Sequence, residues 1–356
     1  MKVNYRLESE DELLRNRDIS VDIIRGFAIF TMVASNMTPY VFDGELPLWF
    51  RFYGTFAAPL FVFLAGMMVK MASARKHGFS YYLWRGLALL GVGAAIDTYV
   101  WGLFPFLSVD VLYLLGIAMP FCYLVGRLPT AVQVVVTAAL FAGVSILQEW
   151  SSYRSAPDNF VVASGISFSE VLDRVDLVQA WLIDGWFPVF PWLGVAMAGY
   201  LAGEVRIRRP SFTNATTFAI GLGALLVGGL MWQEDSTAHL ARGGYPDLFY
   251  PPTLAFFLLA AGVVMLLFYF VDRTKSNRLY LPFNLYGRCS MLMYIAHTLV
   301  IGFYFRGRGD DLPLTSLTGF FRLYLLVMTG LLVLAVVVNA LKPKNLHPAI
   351  RFFVGG

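Results

Sequence analysis

Charge is scarce in this chain. Only 14% of its 356 residues are Asp, Glu, Lys or Arg, against 58% hydrophobic, and that ratio excludes an ordinary water-soluble globule. Cysteine is nearly absent: Cys122 and Cys289 each sit within an apolar run, which excludes a disulfide framework and a cysteine metal site. Internal repeats and low-complexity tracts are missing, so sequence symmetry lends nothing to an inverted-repeat transporter. The charged stretch Met1 to Ser20 is not followed by a short apolar core with a small-residue cleavage site, so the first apolar segment reads as a retained helix. The net charge of +4 is not gathered into a basic face, which leaves a nucleic-acid partner without support.

What the chain has instead is long apolar runs. A helix crossing a bilayer needs about 20 mostly apolar residues. Ten stretches qualify: Val21–Val41, Phe52–Ala72, Tyr81–Leu103, Phe106–Val125, Thr130–Leu147, Trp186–Gly203, Thr216–Trp232, Thr253–Val271, Leu281–Phe305 and Thr318–Leu341. The expectation is an all-α polytopic integral membrane protein with about ten transmembrane helices. Positive loops resist translocation, and the basic residues fall unevenly. Seventeen lie on the side of the N-terminal tail: Lys2, Arg6, Arg15, Arg17, Lys70, Arg75, Lys76, Arg127, Arg206, Arg208, Arg209, Arg273, Lys275, Arg278, Lys342, Lys344 and Arg351. Six lie in the opposite loops: Arg51, Arg154, Arg174, Arg242, Arg306 and Arg308. Both termini are therefore expected in the cytoplasm of a multi-pass protein of the cell's inner (plasma) membrane. This divides the chain into a tail at 1–20, one transmembrane domain at 21–341 and a tail at 342–356.

The longest connection, 148–185, is expected outside and carries Glu149, Asp158, Glu170, Asp173, Asp176 and Asp184. Its second half, Phe168 to Trp181, alternates apolar and charged residues at near-helical spacing, which predicts a helix on the outer surface. A second outer loop, Gln233 to Pro252, holds Glu234, Asp235, His239, Arg242 and Asp247. Either loop can roof a site, although solvated connectors are the commoner role for such charges. The prolines of Pro188 to Gly194 and of Tyr250 to Thr253 mark helix starts. Gly54, Gly66, Gly86, Gly91, Gly93 and Gly194 read first as close helix packing.

Ionisable groups inside spans are costly and face protein or water. Counted from the cytoplasmic end, Asn36, Asp97 and His297 all lie about 15 residues deep, at about 1.5 Å per residue. They define an outer polar layer, joined by Asp110, with Asp43 and Glu45 just above. An inner layer holds Asp22, Arg25, Arg85, Glu204 and Arg288. Asp22 and Arg25 share a helix face at i, i+3, as do Tyr294 and His297. Three arginines at one depth suit the phosphates of a cytoplasmic anion, whereas snorkelling and intramembrane pairing are the plainer reading. A lone histidine in an apolar helix is more often a hydrogen-bonded core residue than a catalyst.

At five places the residues resemble one family. Arg17-Asp-Ile-Ser-Val-Asp22-Ile-Ile-Arg25-Gly26, with Asn36 following, is similar to the opening of the heparan-α-glucosaminide N-acetyltransferase catalytic family and its bacterial relatives. Ala58 to Gly66, Phe190 to Tyr200, Tyr250 to Phe256 and Leu285-Tyr-Gly-Arg288 through Tyr294 to His297 resemble its later blocks in order, over roughly Arg17 to Phe305. The resemblance implies a membrane acyltransferase that moves an acetyl or acyl group from cytoplasmic acyl-CoA to a sugar or other acceptor on the far side. The family's histidine after the first helix has no counterpart here. Counting back from Pro59 brings Glu45 near that position, and the carboxylate before the proline block is replaced around Thr55.

On this reading acetyl-CoA or another acyl-CoA is the donor and no metal is needed. Asn36, Glu45, His297 and Asp97 are the catalytic candidates. Asn36 would donate to the oxyanion, and His297 or Glu45 would take the acceptor's proton. Asp22, Arg25, Arg85, Arg288, Asp110 and Tyr294 are the substrate-binding candidates. Expected partners are membrane lipid, acyl-CoA, a saccharide or lipid-linked acceptor and, by family analogy, a second copy in a homodimer. The alternative is a carrier or flippase, for which no broken-helix pair is evident, or an inactive member serving as scaffold or sensor.

Overall fold

The computed structural model describes residues 17–75, 77–154, 162, 165, 167–209, 211–234, 242–306, 316–341 and 347–355. Lys2, Arg6, Arg15, Lys76, Asp158, Asp235, His239, Arg308, Lys342 and Lys344 lie outside the described residues. In chain order the α-helices are α1 Ile19–Val41, α2 Leu48–Thr55, α3 Ala57–Ser73, α4 Phe79–Ile96, α5 Val111–Val125, α6 Thr130–Ser151, α7 Phe168–Arg174, α8 Leu177–Gln179 and α9 Val189–Arg208. They continue with α10 Ala215–Gln233, α11 Leu254–Thr274, α12 Leu281–Arg288, α13 Ser290–Val300, α14 Leu317–Leu341 and α15 Pro348–Val354. Wider π turns extend α4 at Asp97–Trp101 and α13 at Ile301–Phe305. An all-helical build is what a bilayer demands, because a helix satisfies its backbone internally.

Among the described residues six helices are long and apolar enough to cross a membrane, or up to eight if each of two bent pairs counts as one span. The expected fourth segment starts later than its hydrophobicity suggests. Phe106 and Val109 have φ of 70° and 51°, a region that side chains disfavour, and α5 begins only at Val111 behind Asp110. Its 15 residues reach about 22 Å. The expected ninth segment, 281–305, is not one rod: Arg278–Arg288 and Ser290–Phe305 meet at 80°, with Cys289 outside helical geometry at φ −124°, ψ 38°. Leu177–Asp184 and Val189–Arg208 form the second bent pair at 49°. Broken helices are therefore present, against the sequence expectation.

The chain forms two compact units. The first comprises the segment ending at Asp18, Phe61–Asn214 and Pro252–Leu254. Small residues let its helices touch backbone to backbone. A Cβ on Gly66 would collide with the Ala196 carbonyl, one on Gly199 with that of Phe63, and one on Gly86 with that of Gly116. Arg206, 1% exposed, grips Asp18 through Nε and Nη2 at 2.9 and 3.2 Å. Two desolvated charges persist because the fork geometry satisfies both carboxylate oxygens. In the outer connection Arg154 and Gln179 both donate to the fully buried Asp184, at 2.7 and 2.8 Å. The surface helix expected at 168–181 is split. Helix α7 opens with a Ser167/Glu170 capping box and ends at Arg174, while Val171 packs inward on Leu107 and Val175.

The second unit comprises Ile19–Leu60, Ala215–Pro251 and the chain from Ala255 onward. Here α1 and α12 cross through two glycines: a Cβ on Gly26 would strike the Phe283 carbonyl, and one on Gly287 that of Asp22. Phe27 stacks on Phe283 with centroids 4.0 Å apart. Tyr324 donates to the Phe30 carbonyl at 2.6 Å, so its own oxygen accepts from Tyr53 at 3.1 Å. Gly228 and Gly262 serve α10 and α11 in the same way, against Leu259 and Leu225.

Candidate functional site

In the second unit α1 presents Asn36 to α13. The Asn36 amide nitrogen lies 3.1 Å from His297 Nε2. On the other side of the ring, Nδ1 is 3.1 Å from the Met293 carbonyl one turn back. A carbonyl only accepts, so Nδ1 carries the proton and Nε2 presents its lone pair to the Asn36 amide. His297 is 1% exposed, and the edge of its ring meets Tyr294 at 5.3 Å between centroids. The outcome is a neutral imidazole in a fixed tautomer, with its basic nitrogen capped by an amide donor.

Toward the start of α1, Arg25 lies 3.6 Å from Asp22 and donates to the Gly287 carbonyl at 3.1 Å. That carbonyl belongs to the last turn of α12, where the helix leaves acceptors unsatisfied and a cation is favoured. The Arg25-Gly26 and Gly287-Arg288 motifs thus form one junction, with glycines admitting the backbones and Arg25 bridging them. Arg288 is exposed at its edge.

The other candidates have partners of their own. Asp97 belongs to the first unit, buried in the π turn, where Tyr113 donates to its Oδ2 at 2.6 Å and Ser108 at 3.0 Å. Asp110 stands before α5, its carbonyl accepting from Tyr113. Arg85, also in the first unit, lies over the Tyr81 ring at 5.3 Å. Glu45 is exposed in the loop between α1 and α2.

One group escaped the sequence reading. Asp247, counted there among loop acids, is buried and accepts from Ser35, the neighbour of Asn36, at 3.0 Å. Burial pushes its carboxyl up to about 6, against the opposing pulls of the Ser35 hydrogen bond and the Arg51 charge. Arg51 donates to the adjacent Pro246 carbonyl at 2.9 Å, and Thr55 accepts from the Leu248 amide. The available signal was a lone acid in an otherwise apolar, aromatic stretch before a proline pair. Among the described residues no three His, Cys, Asp or Glu side chains converge on a point that could hold a metal.

Several membrane-length apolar helices, with an imidazole and carboxylates buried among them and an amide half-buried, define a multi-pass membrane protein with internal polar chemistry. Residues 17–229 match the family described as heparan-alpha-glucosaminide N-acetyltransferase, catalytic. More than half of the chain is matched, and the chain belongs to that family of membrane acetyltransferases. Residues 198–340 also match a family described as protein of unknown function, DUF418. No curated protein matches. Asn36 falls in the first matched region and His297 in the second, so their contact joins the two.

Proposed function

We propose that this protein transfers an acetyl or longer acyl group from cytoplasmic acyl-CoA to a hydroxyl or amine, on a sugar or other acceptor, at the extracytoplasmic side of the membrane. The observation that carries the reading is the Asn36–His297 pair at 3.1 Å, within a chain of this family. The acceptor's O–H or N–H displaces the Asn36 amide from Nε2, and the imidazole takes its proton as the acceptor attacks the thioester carbon. The released Asn36 N–H then serves the developing oxyanion. Collapse expels the CoA thiolate, which leaves as the thiol once it regains a proton from the imidazolium. The two groups cap one another at rest and act once substrate separates them.

The charge bias along the sequence supports ten crossings with both termini in the cytoplasm, α6 and the short α5 included. Arg25 and Arg288 are the proposed contacts for the donor's phosphates, with Asp22 holding Arg25 in place. Glu45, exposed above the site, is the alternative base. A second reading draws support from the 80° break at Cys289, because discontinuous helices suit a carrier. The test is release of CoA thiol from acetyl-CoA by the purified protein with glucosamine as probe acceptor. Turnover lost in His297→Ala at normal protein levels supports transfer. Transfer intact in both His297→Ala and Glu45→Gln refutes the site. No binding of acetyl-CoA or longer acyl-CoAs puts the carrier ahead.

A further inference from the structure

We propose that the first unit carries a specific site for an anionic phospholipid, with the phosphate headgroup in a basic cavity at the helix ends and an acyl chain in the adjoining groove between α4 and α5. The cavity measures about 520 Å³ and is lined by Lys70, Ser73, His77, Tyr123, Arg127 and Tyr200, with Gly78 and Gly126 at its floor. These residues sit in the last turn of α3, at the start of α4, at the end of α5 and just past it, and in α9. That is the level at which spans meet headgroups, and basic pockets between helices there select anionic lipids.

Charge fits the assignment. Lys70 pairs with Glu204 and lies over the Tyr200 ring at 5.4 Å. Glu204 is also held by Arg208 at 2.7 Å, and Arg127 lies over Tyr123 at 5.9 Å while donating to its hydroxyl at 3.3 Å. Lys70 and Arg127 are thus the cavity's two fixed cations, and the carboxylate of Glu204 is shared between Lys70 and Arg208. Tyr82 stacks on Tyr123 at 4.6 Å, and its buried hydroxyl finds no hydrogen-bond partner among the described residues.

The groove continues from the same end. Leu83, Leu87 and Leu90 of α4 and Ile117, Phe121 and Leu124 of α5 line about 350 Å³ of almost wholly apolar surface. Gly86 and Gly116 bring the helices together at its base. Leu124 of the groove follows Tyr123 of the cavity on α5, so the two lie at the same end of that helix. From Leu124 to Gly116 the groove runs about 12 Å along the helix. An ionic head joined to a hydrocarbon tail, arriving in the plane of the membrane, matches both halves, whereas a soluble anion matches only one.

The experiment is native mass spectrometry of the purified full chain titrated with phosphatidylglycerol, with phosphatidylcholine of the same chains, with inorganic phosphate and with acetyl-CoA. Saturable phosphatidylglycerol binding at least tenfold tighter than phosphatidylcholine is expected. Arg127→Gln and, separately, Leu87→Trp, which fills the groove, should each weaken it about tenfold, while Arg174→Gln leaves it unchanged. Thermal unfolding in detergent checks that the variants are folded. Equal binding of the two lipids, no effect of Arg127→Gln together with none of Leu87→Trp, or displacement of phosphatidylglycerol by phosphate or acetyl-CoA would overturn the proposal.

Discussion

Replacing Asn36 by alanine separates a structural amide from one that takes part in reaction. His297 Nε2, 3.1 Å from that amide and on a ring 1% exposed, would lose its donor. A hydrogen bond between membrane helices contributes about 0.6 kcal/mol on average and up to about 1.7. Leaving its acceptor buried and unpaired raises the cost to about 1–3 kcal/mol. Asn36→Ala should therefore remain folded, with a thermal midpoint lowered by only a few degrees. If the amide also serves the oxyanion, kcat falls by about 10²–10³, the loss seen when one such donor is removed. Asn36→Asp sets an acceptor against the Nε2 lone pair and should be no more active than alanine. The assay is CoA-thiol release from acetyl-CoA under saturating glucosamine, alongside thermal unfolding of the same preparations. Folded Asn36→Ala with kcat within twofold of the parent would refute a role in the reaction.

Gly287→Ala puts a methyl into the Asp22 carbonyl and should abolish the α1–α12 junction, read as loss of folded protein on size exclusion; Gly91→Ala, with nothing within 4 Å, should leave it unchanged. Asp247 holds its proton up to about pH 6 when folded and only to about 3.8 in the unfolded chain. The folded state thus binds more protons across that window, and stability falls as pH rises from about 4 to 6 and then levels off. Each pH unit carries about 1.4 kcal/mol, so the change is at most about 3 kcal/mol. Asp247→Asn should flatten a plot of thermal midpoint against pH in that interval, and a variant as pH-dependent as the parent would assign the slope elsewhere. Asp18→Asn strands the buried Arg206 charge and should cost about 3–5 kcal/mol, whereas Asp18→Leu with Arg206→Met should be more stable than either single change in the same unfolding assay.

Depth along a span proved informative even across the turn at Cys289. Asn36 and His297 are 261 positions apart, yet counting residues from one membrane face put them at one level, and they meet at 3.1 Å. The same count placed Asp97 at that level, but depth carries no azimuth, and Asp97 turns to Tyr113 and Ser108. Hydropathy located every α-helix that forms a membrane-length span, because burial of a wholly apolar run is decided by composition alone. It failed at 104–110, where positive φ at Phe106 and Val109 interrupts an apolar run. It failed again at Cys289, where an 80° break falls with no proline to mark it.

Arg25 shows why the remainder was hidden. In sequence it is a cation near a membrane face beside a glycine, equally suited to a phosphate or to a headgroup. In the folded chain its Nη1 faces the Gly287 carbonyl and the Asp22 carboxylate, and Gly26 and Gly287 are small because each lies against the partner helix's backbone. The arginine therefore fixes the end of α12, and the end of α12 sets where the chain turns through 80° into α13, which carries His297. A change at Arg25 should reach the imidazole through that turn as well as through any phosphate. Arg25→Lys keeps the charge, but its shorter side chain ends before the position of Nη1, the one atom that meets both acceptors. If Arg25 serves the donor alone, Arg25→Lys should raise KM for acetyl-CoA and leave kcat near the parent's. If it also sets the α12–α13 turn, kcat should fall with the donor saturating. A kcat unchanged at saturation would show that the turn stands without the Arg25 bridge.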